Sequence, residues 1–545
     1  MRKLGSLSFA VLAVLVSAVL GGLLGRSALA DEDAVLREYR VFTAALAAVE
    51  GQYVEPVDST RLVYGAIDGM LKTLDPHSSF MDPRTYAQLR ERQEGRYYGL
   101  GLSIVVVDGD ITVMQLFEGS PAYRKGIRRG DVIARIKDQD AKGWTSDRAV
   151  RELRGEKGTT VRIAIRRAGY EGLIDLEVER DEISITTVRG AFMIDAERGY
   201  VRIGEFSETS NRELGEALQK LKAQGMKRLV LDLRDNPGGP LDQAIRVANR
   251  FLTRGQMVVY TRGRVPNSDE DYRATEASEY TDLPLVILVN RNSASASEIV
   301  AGAIQDHDRG LIVGERTFGK ALVQSVYRIS GGAGLALTTG RYYTPSGRLI
   351  QRPWDGSFDE YFTYTLKDQV QAQAPRSDAD LKYTDVGRKV FGGGGIEPDR
   401  LVAGPVEGFD PTRSGRVLYA RQAFERYAER FSAEGDTRIS GQAQNRQVVA
   451  RGFTVTDAMV EDFRSFLARE GYKADQTDFA KDQAFVRAMI RYQIDFALFG
   501  VDEARRNLLA QDPQAQVALG MFSEAERLTQ SAQAKATRGA ARNQP

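Results

Sequence analysis

Two hydrophobic periods divide the chain into regions. From Asp31 to about Gly95 apolar side chains recur at three-to-four spacing, with Val35, Tyr39, Phe42 and Leu46 on one stripe, and amphipathic helices are predicted. A second helix is predicted from about Ser59 to Leu74, stopped by Asp75-Pro76, and a third over Pro83 to Glu94. From Tyr97 the period becomes that of strands. Ser103 to Val107 and Ile111 to Val113 flank Asp108-Gly109-Asp110, a hairpin signal. Gly119-Ser120-Pro121-Ala122 opens a short helix, Val132-Ile133-Ala134 forms a strand, and a helix follows Trp144. Strands over Thr160 to Ile165 and near Leu173 to Val178 complete a small β-rich domain of about 85 residues, ending near Asp181.

Strands and helices then alternate. Strands at Gly199–Phe206, Lys227–Leu233 and Leu283–Asn290 are separated by helices near Asn211–Gln224 and Leu241–Phe251. The continuous apolar run Leu285-Val286-Ile287-Leu288-Val289 suits a strand buried on both faces, so an α/β core is predicted. Asn267 to Tyr280 is polar and acidic and reads as a surface excursion. The core closes at Lys389 to Ile396, where four consecutive glycines exclude a strand or helix interior. From about Pro411 the pattern is helical again, with Met459, Phe463, Phe466 and Leu467 apolar. The end, from Ser531, is rich in Ala, Gln, Arg and Asn and reads as disordered.

At 545 residues the chain is too long for one core. Composition narrows its chemistry further. There is no cysteine, which excludes a thiol nucleophile, thiolate metal sites and disulfides. Only two histidines occur, His77 and His307, so a hydrolase built here needs another base or one of these. A net charge of +1 gives no reason to invoke nucleic acid. Met1-Arg2-Lys3, the uncharged stretch Leu4 to Gly25 and Ala28-Leu29-Ala30 read as an export signal. That stretch is also long enough to stay as a membrane anchor. Either reading places the bulk of the chain outside the cytoplasm.

The candidate chemistry lies in four segments. In the first, a buried strand ends at Asn290, and Ser293-Ala294-Ser295-Ala296-Ser297-Glu298 opens a helix. A Ser there is placed for attack, with helix amides to hold an oxyanion. Ser295 and Glu298 are equally a capping box, which needs no catalysis. In the second, Lys320 follows the strand Gly310 to Gly314, 25 residues after Ser295 (320 − 295). Adjacent parallel strands would bring both residues to one sheet edge. A Lys serves as general base only where its free amine is populated, which the neighbouring Phe318, Leu322 and Val323 would favour. Gln324 can orient the amine; the plain alternative is a surface lysine. The third is Leu231 to Gly239, whose paired glycines suit either an oxyanion hole or a simple turn. The fourth, Tyr98-Gly99-Leu100-Gly101-Leu102, can hold a chain-terminal carboxylate while a peptide extends the sheet, or is only a glycine loop entering a strand.

Taken together, these segments resemble the carboxyl-terminal processing proteases, also called tail-specific proteases. The matches are Leu74-Asp75-Pro76-His77-Ser78, Tyr98 to Leu102, Asp232 to Gly239, Ser293 to Glu298, Gly314 to Gln324 and the four-glycine segment before Pro398-Asp399. The resemblance spans about Val35 to Val402. It implies a multidomain α/β chain: a crotonase/Clp-protease-like peptidase core with an inserted PDZ domain and helical N- and C-terminal regions. The expected division is 1–30 signal or anchor, 31–95 helical, 96–181 PDZ, 182–402 peptidase core, 403–530 helical and 531–545 disordered tail.

By the same resemblance Ser295 is the nucleophile, Lys320 the general base and Gln324 its support. Gly238 or Gly239 with Ala296 would form the oxyanion hole, and Gly99, Leu100, Gly101 and Leu102 would bind the substrate tail. No metal or other cofactor is implied. Two residues depart from the family pattern: Asn292 stands where a Gly is usual, and Ala321 where a Gly is common. His77 and His307 are expected to be structural. Protein substrates with apolar C-termini are expected, in the periplasm or cell envelope, and terminal helices point to self-assembly and an activating adaptor protein. The rivals are a PDZ scaffold on a latent core and a crotonase-like acyl-transfer enzyme; the tail-binding loop argues against the second.

Overall fold

The computed structural model describes residues 35–117, 119–167, 169–266, 268–354, 360–361, 378–434, 449–472 and 475–542. The export signal or anchor expected over 1–30 lies outside them. No helix among the described residues is long and apolar enough to cross a membrane.

The stretch up to Asp82 forms one unit with Tyr327–Ala336. It holds a helix over 35–52 and the helix Ser59–Lys72, which Asp58 caps by accepting from the Thr60 and Arg61 N–H groups. The predicted stripe is on the first helix but lies open: Val35, Tyr39 and Phe42 are 49, 65 and 49% exposed. After the second helix Asp75 turns the chain, its carboxylate accepting from the His77 and Ser78 N–H groups at 2.8 and 2.9 Å. That turn leads into the strand Ser79–Met81, which runs antiparallel to residues 334–336.

The other unit comprises Pro83–Val326 and the chain from Leu337. Its chain enters and leaves the small β-rich domain through paired antiparallel strands, Arg96–Gly99 and Asp181–Ser184, as an insertion requires. Between them the strands Leu102–Val107, Asp110–Leu116, Val132–Ile136, Thr160–Arg166 and Ile174–Glu179 form an antiparallel sheet in that order. The Asp108-Gly109 hairpin turns with both residues at positive φ, 50° and 80°. Among the described residues Leu102–Val107 has one partner strand, and its other edge is unpaired.

The α/β core is a six-stranded sheet in the order Val188–Met193, Arg198–Ile203, Arg228–Asp232, Leu285–Val289, Leu311–Gly314, Arg400–Leu401. The first pair is antiparallel and the rest are parallel. The helices Ser210–Ala223, Leu241–Asn249 and Ala296–Asp306 cover one face. The opposite face packs on Leu509, Ala515, Ala518, Met521, Phe522 and Ala525 from the C-terminal region. Leu285 to Val289 are therefore wholly buried, as a continuous apolar run demands.

Two expectations need correction. The polar stretch 267–280 is not all excursion, because Glu270–Arg273 is a strand paired with Met257–Gly263. The tail expected to be disordered from Ser531 instead continues the helix Phe522–Arg542. Its Ala, Gln, Lys and Arg favour helix, and Phe522, Ala525 and Thr529 anchor the preceding turns against the core. Residues 543–545 lie outside the described residues. The remaining C-terminal helices, from Arg413–Ala420 to Val501–Leu509, share a separate aromatic-rich core around Phe424, Tyr427, Phe463 and Phe485.

Candidate active site

Three loops leave the carboxyl ends of three adjacent parallel strands: Asp232 pairs Leu288, and Val289 pairs Gly314. That edge is where an open α/β sheet collects chemistry. The turn after Leu285–Val289 is tied down, Asn290 N–H donating to Ser293 Oγ (2.9 Å), which donates to the Leu233 carbonyl (2.8 Å). Ser295 then caps the helix at φ 54° and ψ −112°. An L-residue holds such a backbone only where its surroundings impose it. This sharp strand-to-helix turn leaves Ser295 half-buried between buried neighbours, Ala294 and Ala296.

Two buried groups fasten Ser295 to the Lys320 loop. The Glu298 carboxylate accepts from Ser295 N–H (2.8 Å) and Lys320 N–H (2.9 Å) through one oxygen. Its other oxygen accepts from Gly319 N–H (2.7 Å) and the Thr317 hydroxyl (2.6 Å). The Tyr342 hydroxyl makes the matching clamp on the carbonyl side, bonding the Ser295 carbonyl at 3.2 Å and the Lys320 carbonyl. Burial pushes the Glu298 carboxyl up to about 7, although its four donors pull the other way.

Lys320 is half-buried, and its Nζ donates to Gln324 Oε1 at 2.9 Å. Phe318 is not part of a purely apolar wall: it meets Tyr361 edge-on and carries the Arg352 guanidinium 4.2 Å above its ring. The four-glycine segment explains itself here. A Cβ on Gly319 would lie 2.9 Å from Gly395 N, and one on Gly395 would lie 2.4 Å from the Thr317 carbonyl oxygen. Two backbones therefore touch where the lysine loop is built.

The Arg234 to Gly239 loop completes the edge. A Cβ on Gly238 would sit 2.8 Å from the Ser295 Cβ and 2.9 Å from Ala296 N, so only glycine lets this loop lie against the helix start. Asn236 holds it there, accepting from Ala294 N–H (2.9 Å) and from the Ser297 hydroxyl (3.1 Å). The Gly238 N–H is spent on Asn236 Oδ1 at 2.9 Å. Among the described residues the N–H groups of Gly239 and Ala296 have no protein acceptor, and Gly239 is exposed. Of the candidate donors, these two can meet a ligand. Next to them Pro240 and Gln243 border an open cleft of about 710 Å³ that also reaches Gln93, Glu208 and Arg212.

The tail-binding candidates stand apart from this edge, in the small domain. Gly99 ends a strand, Leu100 is buried, and Leu102 starts the strand with the unpaired edge. Gly101 sits at φ 74°, where a Cβ would come 2.2 Å from the Ser120 Cβ. The Leu100 and Gly101 carbonyls are used by the Ala122 and Phe117 N–H groups. The N–H groups of Leu100 and Gly101 have no protein acceptor among the described residues.

The two family departures have local explanations. Asn292 Nδ2 donates to Asp235 Oδ1 (2.9 Å), and Ala321 is buried with its N–H on Gln351 Oε1 (2.8 Å). His307 caps the far end of the helix Ala296–Asp306, about 18 Å from Ser295 along the axis at ~1.5 Å per residue, and its ring bonds Asp385 Oδ2 and the Met257 carbonyl, each at 2.7 Å. Sequence reading missed this carboxylate partner, as it missed Tyr342 and Asn236. It noticed Glu298 only as a cap.

Matches with known proteins follow the same segments. Residues 197–355 match the model of peptidase family S41, residues 88–166 the PDZ domain, and residues 25–85 the N-terminal domain of the activating protease CtpB. The carboxy-terminal-processing protease of Bartonella bacilliformis is 38% identical over 325 residues, covering 59% of this chain and 74% of that protein. The carboxy-terminal processing protease CtpA of Bacillus subtilis is 34% identical over 338 residues, covering 62% and 69%. The solved photosystem II D1 C-terminal processing protease is 32% identical, covers 57% of this chain and 90% of its own, and has a TM-score of 0.33. With such relatives matched over more than two thirds of their length, the chain belongs to peptidase family S41, the carboxy-terminal-processing serine proteases that carry a PDZ domain.

Proposed function

We propose that Ser295 is the acylated nucleophile of an endopeptidase and Lys320 its general base. The observation that carries this reading is the double clamp: Glu298 on the N–H groups and Tyr342 on the carbonyls of both residues. A structural cap needs Glu298 on Ser295 alone; it does not need the lysine loop brought to the same carboxylate. Neutral Lys320, steadied by Gln324, takes the Ser295 hydroxyl proton as the oxygen attacks the scissile carbonyl. The oxyanion develops against the N–H groups of Gly239 and Ala296, at the positive end of the helix Ala296–Asp306. The protonated lysine returns its proton to the leaving amine, and water then releases the acyl group.

Substrate choice rests with the small domain. A C-terminal carboxylate would meet the N–H groups of Leu100 and Gly101, and the tail would add a strand to the unpaired edge of Leu102–Val107. Partly buried Leu102 and Ile104 border the domain core there and favour an apolar tail. The N-terminal pattern supports action in the periplasm or cell envelope, after removal of residues 1–30 or anchored by them. The open Val35, Tyr39 and Phe42 stripe supports a homo-oligomer or an activating adaptor at the N-terminal region.

The test is a digestion time course on an unfolded protein with an apolar C-terminus, using the mature chain and its Ser295→Ala and Lys320→Ala variants. Cleavage by the mature chain and by neither variant is expected. Retained cleavage in either variant sinks the assignment, and an inactive parent chain favours a scaffold or a site awaiting a partner.

A further inference from the structure

The loop that supplies Gly239 begins at a buried guanidinium held from far along the chain. Arg234 is 2% exposed, and its Nε and Nη2 grip Asp232 at 3.0 and 2.7 Å. Its Nη1 reaches the C-terminal region, bonding Asp512 Oδ2 at 2.7 Å and Gln514 Oε1 at 3.0 Å. Asp512 is fixed by its other oxygen, which accepts from Ala515 N–H (3.0 Å), while Gln514 Nε2 donates to the Val402 carbonyl (2.8 Å). Beside them Arg202 donates to the Arg234 carbonyl and to Asp235, at 3.3 and 3.2 Å. Glu407 lies 3.8 Å from Arg202 and is held by Arg505 at 2.5 Å.

The next residue in the loop, Asp235, has φ 58° and is latched to the nucleophile turn by Asn290 (2.8 Å) and Asn292 (2.9 Å). The path from Asp512 to the Gly239 N–H is thus one guanidinium and the loop Arg234 to Gly239, whose backbone is bonded at Arg234, Asp235, Asn236 and Gly238. A buried guanidinium bridging two carboxylates resists displacement, because withdrawing one partner leaves a buried charge unmet. We propose that the C-terminal helical region is a working part of the active site, Asp512 and Gln514 acting through Arg234 as positioning residues for the oxyanion-binding loop. This inference rests on the reading of Ser295 as nucleophile.

The decisive variant is Asp512→Asn in the full chain. Asn presents one oxygen and one NH₂, so it can satisfy Ala515 N–H or Arg234 Nη1 but not both. A loop displaced by about 1 Å costs about 10²-fold in rate. The expected result is a kcat lowered about 10- to 100-fold on a short peptide ester, with KM within about twofold. Phe463→Ala, in the separate aromatic core of the same region, is the control for mere destabilisation. At a temperature below both melting transitions Phe463→Ala keeps its kcat, while Asp512→Asn does not. Equal kcat in Asp512→Asn and parent overturns the coupling, as does an equal loss in both variants. If Asp512→Asn fails to fold, Gln514→Leu leaves all charges paired and still lowers kcat severalfold; an unchanged kcat there overturns the proposal. Ser295→Ala run alongside separates the two readings: if it retains activity, the site assignment has failed rather than the coupling.

Discussion

Replacing Glu298 by Gln tests the clamp and gives opposite signs in two assays. The carboxylate is wholly buried and accepts four bonds, two on each oxygen. Gln keeps one accepting oxygen, and its NH₂ must face at least one of the N–H groups of Gly319, or of Ser295 and Lys320. Two charge-assisted bonds lost at about 1.5–3 kcal/mol each, partly offset by removing a buried charge, leave a cost of about 3 kcal/mol. That cost depends on pH in a defined direction. The folded carboxyl titrates at about 7 against an ordinary 4.5, so the folded state binds the proton more tightly than the unfolded chain. Its contribution to stability is complete below 4.5 and is lost as pH rises through about 7, a change of about 3 kcal/mol. Gln does not titrate. The melting gap between parent and Glu298→Gln is therefore wider at pH 5 than at pH 8, by about 5–10 °C for the core transition.

Activity runs the other way. The carboxylate, not the acid, can accept from Ser295 and Lys320 together, so the parent gains most over the variant at pH 8. Displacing either residue by about 1 Å predicts a loss of about 10²-fold in kcat there. Melting curves and initial rates at the two pH values decide the matter. A melting gap that is the same at pH 5 and pH 8 refutes the titration argument, and an unchanged kcat at pH 8 refutes the clamp.

Two glycine substitutions probe the close approaches. Gly238→Ala forces a Cβ to within 2.8 Å of Ala294 O and of the Ser295 Cβ, so the loop or the helix start must move; kcat should fall about 10²-fold or more, with a stability loss of about 1–3 kcal/mol, and parent-like rates would show that the approach has slack. Gly101→Ala places a Cβ 2.2 Å from the Ser120 Cβ at φ 74°; KM for a protein with an apolar tail should rise tenfold or more, equivalent to about 1.4 kcal/mol, and an unchanged KM would remove this loop from tail capture.

The features legible in the sequence are those with a local signature. Five consecutive apolar residues at Leu285 to Val289, β-branched at three positions, suit a strand covered on both sides, and the short connection to Leu311–Gly314 keeps the next strand parallel and adjacent. Those two facts bring Ser295 and Lys320 to one edge. What escaped reading depends on partners far apart in the chain. Tyr342 reaches back 47 residues to Ser295, and Asp385 lies 78 residues beyond His307. Gln514 meets Arg234 across 280 residues. No periodicity encodes such a contact, because each partner taken alone is an ordinary polar residue. The helical tail escaped for a related reason, since the Ala- and Gln-rich end is held as helix by the turns around Phe522 and Ala525 that dock on the sheet.

This division follows from what each kind of residue must do. A reactive group needs a particular local backbone, and the candidate residues have one, in the positive φ of Ser295 and the glycine at 238; such backbone is written in neighbouring residues. A positioning group needs only to arrive with the right hydrogen-bonding atoms, and the fold can deliver it from any element. Glu298 is the instructive middle case. Its local role as a helix cap is visible three residues from Ser295, yet the Gly319 and Lys320 N–H groups that turn the cap into a clamp are delivered by the next strand. A capping box whose carboxylate is also wanted by a second loop is therefore a sign of a site, and that second demand becomes visible only once the strands are paired.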